Sequence, residues 1–332
     1  MMTRMNRNGA ETCRLSVVVP CFNEAEVLPA FYERTVAVLR DAVGEDYEIV
    51  LVNDGSRDRS WQVIGELAER DPHIVGINLS RNFGHQLALT AGLDYANGDL
   101  VLILDADLQD PPELLPRMMA LIDEGADVVY GQRTERFGET RFKVAMTRGF
   151  YRLLGKIANV DIPLDAGDFR LMRRCVVDAL NDMPEQQRFV RGMVAWLGFT
   201  QVPLPYQRPA RAAGKSKYSL VRLIRLALDG ITSFSVWPLR LALLAGAAFC
   251  LIALLLLIYA LIGWALHSSP PGWASTMVAI TLVGGMQLIC VGLLSEYLGR
   301  VYMEVKRRPH FIVREVRARQ RRRETIDGRA AE

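Results

Sequence analysis

The stretch VLILDADLQDPPE, residues Val101–Glu113, runs from apolar residues straight into three carboxylates at Asp105, Asp107 and Asp110. The apolar run predicts a buried strand, and the two prolines after the carboxylates are typical of the first turn of a helix. Acidic residues are common at the solvated ends of strands. Carboxylates this close together also repel one another, and a bound cation relieves that repulsion. The stretch therefore predicts a strand-to-helix turn that is either a solvated rim or a cation site.

Similar apolar runs recur along the first part of the chain, and a helical stretch separates each run from the next. The runs are LSVVV (15–19), YEIVLV (47–52), IVGINL (74–79), LVLIL (100–104) and DVVYG (127–131). They are continuously apolar rather than alternating, which indicates a parallel sheet with helices on both faces. We therefore predict an α/β domain whose ligands bind at the carboxyl ends of the strands.

Polar residues follow the first four runs at the point where each strand would end. They are Asn23 and Glu24, Asn53 and Asp54, Ser80 to Asn82, and the three carboxylates of the opening stretch. Because parallel strands end at the same edge of a sheet, we expect these side chains to form a single polar rim.

The spacing Asp105-x-Asp107 favours a shared divalent cation, because strand alternation would point both carboxylates the same way. Mg²⁺ or Mn²⁺ there would bridge the diphosphate oxygens of a leaving nucleotide. A phosphatase of the haloacid dehalogenase type also places Asp-x-Asp after a strand, but it requires Thr or Val where Gln109 stands. A nucleotide-sugar transferase requires a nucleoside pocket on the preceding strands, for which Asp54 and Glu24 offer acceptors. These residues favour the transferase over the phosphatase.

The cysteines of the chain show neither a CxxC pair nor Cys/His metal spacing. They are Cys13, Cys21, Cys175, Cys250 and Cys290. This pattern favours a reducing compartment and argues against a disulfide framework or a zinc site. The polar N-terminal segment and the short run LSVVV lack the apolar core of a signal peptide, so we expect the α/β domain to remain in the cytoplasm.

Two long segments carry no charge: residues 241–266, which number 26, and residues 273–295, which number 23. Each exceeds the ~20 residues that a helix needs to cross a bilayer, and two buried helices of a soluble domain are the alternative. Arg222, Arg225 and Arg240 precede the pair, the runs KRR and RRR follow it, and the turn HSSPPG between the segments has no Lys or Arg. By the positive-inside rule this predicts a two-helix hairpin with both ends in the cytoplasm.

We accordingly divide the chain into four parts. We expect residues 1–215 to form the cytoplasmic α/β domain, 216–236 an amphipathic juxtamembrane helix, 237–298 two transmembrane helices with a short external turn, and 299–332 a basic cytoplasmic tail. From Arg300 onward there are eleven Lys or Arg against five Asp or Glu, in a chain of net charge +3. No aromatic residue follows Phe311, so we expect the arginines of the tail to contact anionic lipid rather than nucleic acid.

Several motifs, in order, resemble those of inverting family 2 glycosyltransferases of the GT-A fold. They are VVPCFNEAE, VNDGSRD, SRNFGHQLAL, LDADLQDPPE and AGDFRL. The motif RxxGxSKY, the predicted hairpin and EYLGRVYMEVKRRP resemble more narrowly the polyprenyl-phosphate glycosyltransferases of the dolichol-phosphate mannose synthase type, closest to bacterial bactoprenol (undecaprenyl-phosphate) glucosyltransferases. The resemblance runs from Leu15 to about Pro309.

The resemblance implies a role for each matching position on the donor side. The nucleotide pocket would contain Pro20, Asn23, Glu24, Asp54, Arg81 and Asp105. The metal ion would be held by Asp105 and Asp107, with Gln109 as an extra oxygen ligand. Asn53 departs from the pattern, since many relatives carry Asp there, which argues against a need for charge at that position, while Asp54 is retained.

The resemblance also implies catalytic and acceptor positions. Asp107, Asp168 and Arg133 would be catalytic, with Asp168 beneath the sugar and Arg133 facing a phosphate. The acceptor phosphate would be met by Arg148, Arg211, Ser216 and Lys217, and Arg148 could equally face the donor phosphate.

The implied reaction is inverting, metal-dependent transfer of a hexose to undecaprenyl phosphate, with glucose from UDP-glucose as the first choice. GDP-mannose, a UDP-N-acetylhexosamine or a modified arabinose donor stay open, as does a non-catalytic membrane scaffold. The enzyme would be a multi-pass protein of the inner membrane and a homo-oligomer such as a tetramer. A lipid phosphate has a second pKa of about 6, so it is largely deprotonated at pH 7 and needs no strong base.

Five rim or near-rim residues keep two readings each. Asp110 is expected to cap the helix that begins at the prolines, and His85 to cap or pack rather than act as a base. Asp168 could pair with Arg170 or Arg173 instead of serving the reaction. Arg188 and Arg191 fit either a solvated face or the site.

Overall fold

The computed structural model describes residues 13–133, 166–207 and 272–318, with single positions and short runs between 239 and 262. Residues 13–133, 166–207 and 309–318 belong to one compact unit, and residues 272–308 belong to a second. The first unit therefore combines the beginning of the chain with a short segment that follows the predicted membrane hairpin.

A single mixed sheet organises the first unit. Its strands are β1 (Leu15–Cys21), β2 (Tyr47–Asn53), β3 (Ile74–Leu79), β4 (Leu100–Ile103), β5 (Val128–Arg133), β6 (Ala166–Arg173), β7 (Gln201–Tyr206) and β8 (Val313–Arg317). The described strands lie in the order β7-β5-β6-β4-β1-β2-β3-β8. Strands β1 to β4 run parallel and β7 runs parallel to β5, whereas β6 is antiparallel to β4 and β5, and β8 is antiparallel to β3.

Helices cover both faces of this sheet. They are α1 (Leu28–Val43), α2 (Ser60–Arg70), α3 (His85–Tyr95), α4 (Leu115–Asp123), α5 (Arg174–Asn181) and α6 (Val190–Trp196), with one 3₁₀ turn at Pro112–Leu114. Along β1, Val17 and Val19 face a core that includes α1, α2 and α4, while Val18 faces a core that includes α3, α5 and α6. Both faces of the strand are thus buried, which is why its sequence is continuously apolar rather than alternating.

The predicted fold class is confirmed, and the sheet extends beyond the predicted strands. The motif AGDFRL forms most of β6, an antiparallel strand inserted between β4 and β5. The sequence VREVR forms β8 at the sheet edge, in a region predicted only as a basic tail. An edge strand is paired with a neighbour along one edge only, and charged side chains are tolerated on it. Its sequence therefore lacks the continuous apolar run of a central strand.

The second unit contains a long helix, α7 (Trp273–Val305), of 33 residues. Within the described residues, its segment Leu282–Val305 is long and apolar enough to cross a membrane. Helix α7 includes the whole second predicted span and continues ten residues beyond Ser295. The predicted amphipathic helix 216–236 lies outside the described residues, and the described positions of the first predicted span are helical.

Candidate active site

The loops that follow β1 and β2 are joined by hydrogen bonds at the carboxyl edge of the sheet. The backbone N–H of Asn23 donates to Ser56 Oγ at 3.0 Å, and its side-chain Oδ1 accepts from the Arg57 N–H at 2.9 Å. The Glu24 N–H donates to Ser60 Oγ at 2.9 Å. Asn23 has a φ of 60°, a left-handed conformation that Asn tolerates better than most residues. The predicted rim exists here, and Asn23 shapes it through its backbone as well as its side chain.

Asp54 fixes the segment of residues 80–84, hereafter the 80–84 loop, against the end of β2. One carboxylate oxygen accepts the Phe83 N–H at 2.7 Å and the other accepts the Gly84 N–H at 3.0 Å. The Asn82 side chain donates to the Asp54 carbonyl at 3.1 Å. Burial raises the pKa of Asp54 despite these two amide bonds. Asp54 therefore orders the neighbouring loop in addition to any ligand that it meets.

Gly55 makes the close approach of the 80–84 loop possible. It has a φ of +63°, and a Cβ there would lie 2.5 Å from backbone atoms of Arg81 and Asn82. The Arg81 side chain is exposed at the rim, with its guanidinium 4.0 Å from the centre of the Phe83 ring. Pro20, the predicted pocket residue that lies on β1 itself, is buried and is the register partner of Val52 on β2.

The Asp-x-Asp motif lies on a turn and not on the strand itself. Strand β4 ends at Ile103, and Leu108, between the two aspartates and the following helix, adopts a left-handed φ of 59°. The Gln109 N–H donates to Asp107 Oδ1 at 3.1 Å and closes the turn. The prediction that strand alternation orients the two carboxylates was wrong, because both residues follow the end of β4.

Asp105 is strained electrostatically. Its Oδ1 atom is buried without a hydrogen-bond partner among the described residues, and His85 Nε2 lies 3.7 Å from it. Burial, together with the charges of Asp110, Asp168 and Asp107, raises the pKa of Asp105 to about 6, although His85 opposes the shift. A carboxylate that is desolvated and surrounded by other carboxylates would be stabilised by a cation.

Asp168 is the most highly bonded carboxylate of the site. Arg191 on α6 donates from Nε to Oδ1 at 2.8 Å and from Nη2 to Oδ2 at 3.1 Å. His85 Nε2 and Gln86 Nε2, both on α3, each lie 3.2 Å from Oδ2. Burial disfavours the ionised form, but the charge of Arg191 and the hydrogen bonds hold the pKa of Asp168 well below its usual range. Asp168 is therefore ionised at neutral pH.

His85 lies between the carboxylates of Asp168 and Asp105. Its Nε2 contacts both Asp168 and Asp105, and these interactions raise its pKa even though burial acts to lower it. No side-chain hydrogen bond caps α3, so of the two expected roles of His85, capping or packing, the capping role was wrong. The position of His85 at the start of a helix that follows the polar rim was the sequence signal that could have placed it in the site.

Asp168, Arg188 and Arg191 have partners that the sequence did not indicate. The Asp168 carboxylate pairs with Arg191, whereas Arg170 donates to the Asp168 backbone carbonyl at 3.3 Å and Arg173 donates to the carbonyls of Ala126 and Ile122. Arg188 is buried and donates to the carbonyls of Leu180 and Met183. Neither arginine belongs to a solvated face, because both bind groups of the protein interior.

Asp110 also differs from the expectation. The 3₁₀ turn and α4 that follow it have no side-chain cap, and Asp110 Oδ1 instead accepts a 2.5 Å hydrogen bond from the Tyr206 hydroxyl on β7. Asp110 therefore links the turn that carries Asp105 and Asp107, hereafter the aspartate turn, to β7 at the edge of the sheet.

Five predicted residues are described only in part or not at all. Arg133 is the last residue of β5, where it is the register partner of Tyr206. Arg148, Arg211, Ser216 and Lys217 lie outside the described residues.

The carboxyl edge of this sheet thus brings together the loops that follow β1 and β2 (the β1–β2 loop pair), the aspartate turn and Asp168, on an α/β fold of the GT-A class. Residues 16–180 match the glycosyltransferase family 2 domain, and residues 237–301 match the GtrB C-terminal hairpin. The chain belongs to glycosyltransferase family 2, and it is a glycosyltransferase. The hairpin match and the apolar helix α7 indicate membrane association.

Three relatives illustrate the relationship. The glycosyltransferase YkcC of Bacillus subtilis is 45% identical over 303 residues, which is 90% of this chain and 92% of that one. The prophage bactoprenol glucosyl transferase homolog of Escherichia coli is 41% identical over 309 residues, 92% of this chain and 99% of that one. The bactoprenol glucosyl transferase of Shigella phage SfII is 41% identical over 302 residues, 91% of this chain and 97% of that one.

Solved structures resemble the protein more loosely. The mannosyltransferase PcManGT from Pyrobaculum calidifontis, in complex with GDP-Man and Mn²⁺, gives a TM-score of 0.45 at 21% identity, over 89% of this chain and 86% of that chain.

Proposed function

We propose that the protein transfers a hexose from a nucleotide sugar to a polyprenyl phosphate with inversion, and that glucose from UDP-glucose and undecaprenyl phosphate are the first substrates to test. The observation that carries the proposal is the placement of Asp105, His85 and ionised Asp168 within hydrogen-bonding or ion-pair distance at the ligand edge of the sheet. Support for the substrates comes from relatives that are named as bactoprenol glucosyl transferases or their homologs. This chain matches them over nearly their full length.

A divalent ion fits the aspartate turn as a partly completed site. Asp105 and Asp107 would hold Mg²⁺ or Mn²⁺ with Gln109, and the buried, unbonded oxygen of Asp105 supports this. Within the described residues, no group of three His, Cys, Asp or Glu side chains could hold a metal by itself. The remaining ligands would therefore come from the diphosphate and water, as is usual for Mg²⁺. When bound, the ion would neutralise charge on the departing nucleoside diphosphate.

The residues of the chain would act mainly by positioning and by charge. The 80–84 loop and the β1–β2 loop pair would border the nucleoside, with Arg81 exposed beside it. Asp168, kept ionised by Arg191, would lie beneath the sugar and favour the positive charge that develops at the anomeric carbon. The acceptor phosphate is already anionic at neutral pH, so the attack needs no general base.

The acceptor side of the proposal rests on cations of the chain and on the membrane. The lipid phosphate would be bound by Arg148, Arg211, Ser216 and Lys217, and Arg133 would face the phosphate of either the acceptor or the donor. A two-span hairpin in the inner membrane, with the catalytic domain in the cytoplasm, would hold the site at the surface where an insoluble acceptor is confined. We propose that the enzyme assembles as a homo-oligomer through its membrane helices.

A panel of labelled nucleotide sugars, incubated with the membrane-bound protein and a short-chain polyprenyl phosphate, tests this function. We expect label from UDP-glucose in an organic-soluble product, and we expect mild acid to release the labelled sugar from that product. Label from GDP-mannose, a UDP-N-acetylhexosamine or an arabinose donor would keep the reaction and change the sugar. Label that passes only to water or to protein would overturn the acceptor, and no metal-dependent turnover of any donor would favour a non-catalytic scaffold.

The fit of the 80–84 loop against Gly55 gives a sharper prediction on donor binding. Gly55→Ala is expected to weaken UDP affinity by at least about tenfold, because the added Cβ would push Arg81 and Asn82 away. Gly44→Ala is the matched control: its φ is also positive, +65°, but nothing lies within 4 Å of the added Cβ. Gly44→Ala should lose roughly 1 kcal/mol of stability to backbone strain, and Gly55→Ala should lose more, because its Cβ would also overlap backbone atoms. Equal UDP affinities in the two variants would contradict the assignment of this loop to the donor pocket.

A further inference from the structure

Strand β8 completes the sheet of the catalytic unit from the far end of the chain. Residues 207–312 separate it in sequence from β7, yet it pairs antiparallel with β3. The register places Gly76 opposite Arg317, Ile77 opposite Val316 and Leu79 opposite Val313. A catalytic domain that stopped at residue 215 would leave the edge of β3 uncovered, and uncovered edges are prone to wrong pairing.

Side chains fasten β8 to α2 as well as to β3. The Trp61 Nε1–H donates to Glu315 Oε2 at 3.1 Å, and Arg317 Nε donates to Glu315 Oε1 at 2.9 Å. The Arg317 guanidinium lies 4.7 Å from the centre of the Trp61 ring. Gly65 leaves room for it, since a Cβ at that position would overlap Arg317 Nη1. We call Trp61, Glu315 and Arg317 the β8 clamp.

The residue just before β8 reaches the first residue of the 80–84 loop. The Ser80 N–H donates to the Ile312 carbonyl at 2.8 Å, immediately after β3 ends at Leu79. At its other end the loop is held by Asp54, which accepts from the amides of Phe83 and Gly84. The loop is thus fixed on one side by the end of β2 and on the other by the C-terminal segment.

The 80–84 loop leads directly into the reacting side of the site. Arg81 is exposed on it, and the next two residues, His85 and Gln86, both contact Asp168. A displacement of the Ser80 end would therefore be passed on to the donor side of the pocket. Errors of about 1 Å in positioning lower the efficiency of a site without any change in its chemical groups.

We propose that β8 is a positioning segment of the donor pocket, and that the β8 clamp sets the place of the 80–84 loop. The inference rests on the proposed function in so far as that loop borders the nucleotide. It assigns the C-terminal region a role in substrate binding beyond contact with lipid. It also makes the catalytic domain discontinuous, since residues 313–317 must return to β3 before the pocket is complete.

The test compares Glu315→Ala/Arg317→Ala with Arg314→Ala in the full-length protein. Arg314 is on the same strand but is exposed, and it is no part of the clamp. We expect the double variant to speed amide exchange at Ser80 by about tenfold or more and to weaken UDP or GDP affinity several-fold, while Arg314→Ala matches wild type. With the preferred donor, KM should rise while kcat changes less than about twofold.

Each outcome of this test decides the proposal. Faster exchange at Ser80 with unchanged nucleotide affinity would overturn it and leave β8 a purely structural strand. Unchanged exchange would overturn the role of the clamp, whatever happens to KM. Amide exchange and nucleotide affinity require no turnover, so they still test β8 if the wild-type protein transfers no sugar to lipid and the proposed function fails.

Discussion

Asp107→Asn is expected to abolish sugar transfer, by about 10³-fold or more, in a protein that keeps its fold and its membrane insertion. The amide preserves the size of the side chain and an oxygen that can still accept the Gln109 N–H. It removes the negative charge that a divalent ion needs beside a diphosphate, and charge stabilisation of this kind is worth several kcal/mol in a transition state. Asp123→Asn, at an exposed position where α4 ends, is the control and should turn over at the wild-type rate.

Thermal unfolding separates this loss from a simple defect in catalysis. Because the described residues offer only a partly completed metal site, we expect Mn²⁺ and UDP together to raise the melting temperature of the wild-type protein by about 5 °C, more than either alone. The same mixture should leave Asp107→Asn almost unchanged. Equal stabilisation of wild type and variant would place the ion elsewhere and remove the aspartate turn from the mechanism.

The sheet core and the rim could be predicted because their causes are local in the sequence. A strand buried on both faces must be apolar at every position, so β1 to β4 are visible as continuous runs. The polar residues that follow such runs must lie at one edge, since the strands are parallel. No long-range information was needed for either conclusion.

The detail of the aspartate turn could not be predicted from alternation. The apolar run continues to Leu104, but the strand ends at Ile103, and Leu108 adopts a positive φ. Left-handed geometry is uncommon for leucine, and nothing in the pattern of the run marks it. The residues of the motif were found from sequence, whereas their geometry depended on where the strand ends.

The edge strand and the arginine partner were missed because both depend on pairings between distant segments. Strand β8 lies in a charged segment whose apolar side chains become meaningful only once β3 is beside it. Arg191 lies 23 residues from Asp168 on a short helix, and two nearby arginines, Arg170 and Arg173, were equally good candidates on sequence alone. Burial and geometry, rather than residue type, selected the partner.

Arg191→Ala is expected to reduce both stability and activity, because it leaves Asp168 charged, buried and without its two-point donor. Asp168 is 4% exposed and Arg191 31% exposed, so we expect a loss of about 2–3 kcal/mol, toward the low end for removing one partner of a buried pair. Asp168→Asn should destabilise less, since the neutral amide is easier to bury, while transfer falls by about 10²-fold. Arg188→Ala removes a buried arginine that donates to the carbonyls of Leu180 and Met183, and it should cost stability without lowering the rate per folded molecule.

The double variant Asp168→Asn/Arg191→Ala distinguishes a structural pair from a pair that serves the reaction. If the pair only stabilises the fold, removing both charges restores stability and activity together, because no unpaired charge remains buried. If Asp168 lies beneath the sugar, stability recovers by about 1–2 kcal/mol while transfer stays about 10²-fold low or falls further. We expect the second result, measured as unfolding free energy and as kcat/KM for the donor on the same preparations. Recovery of kcat/KM to the wild-type value would show that Asp168 supports the fold and has no part in the transfer.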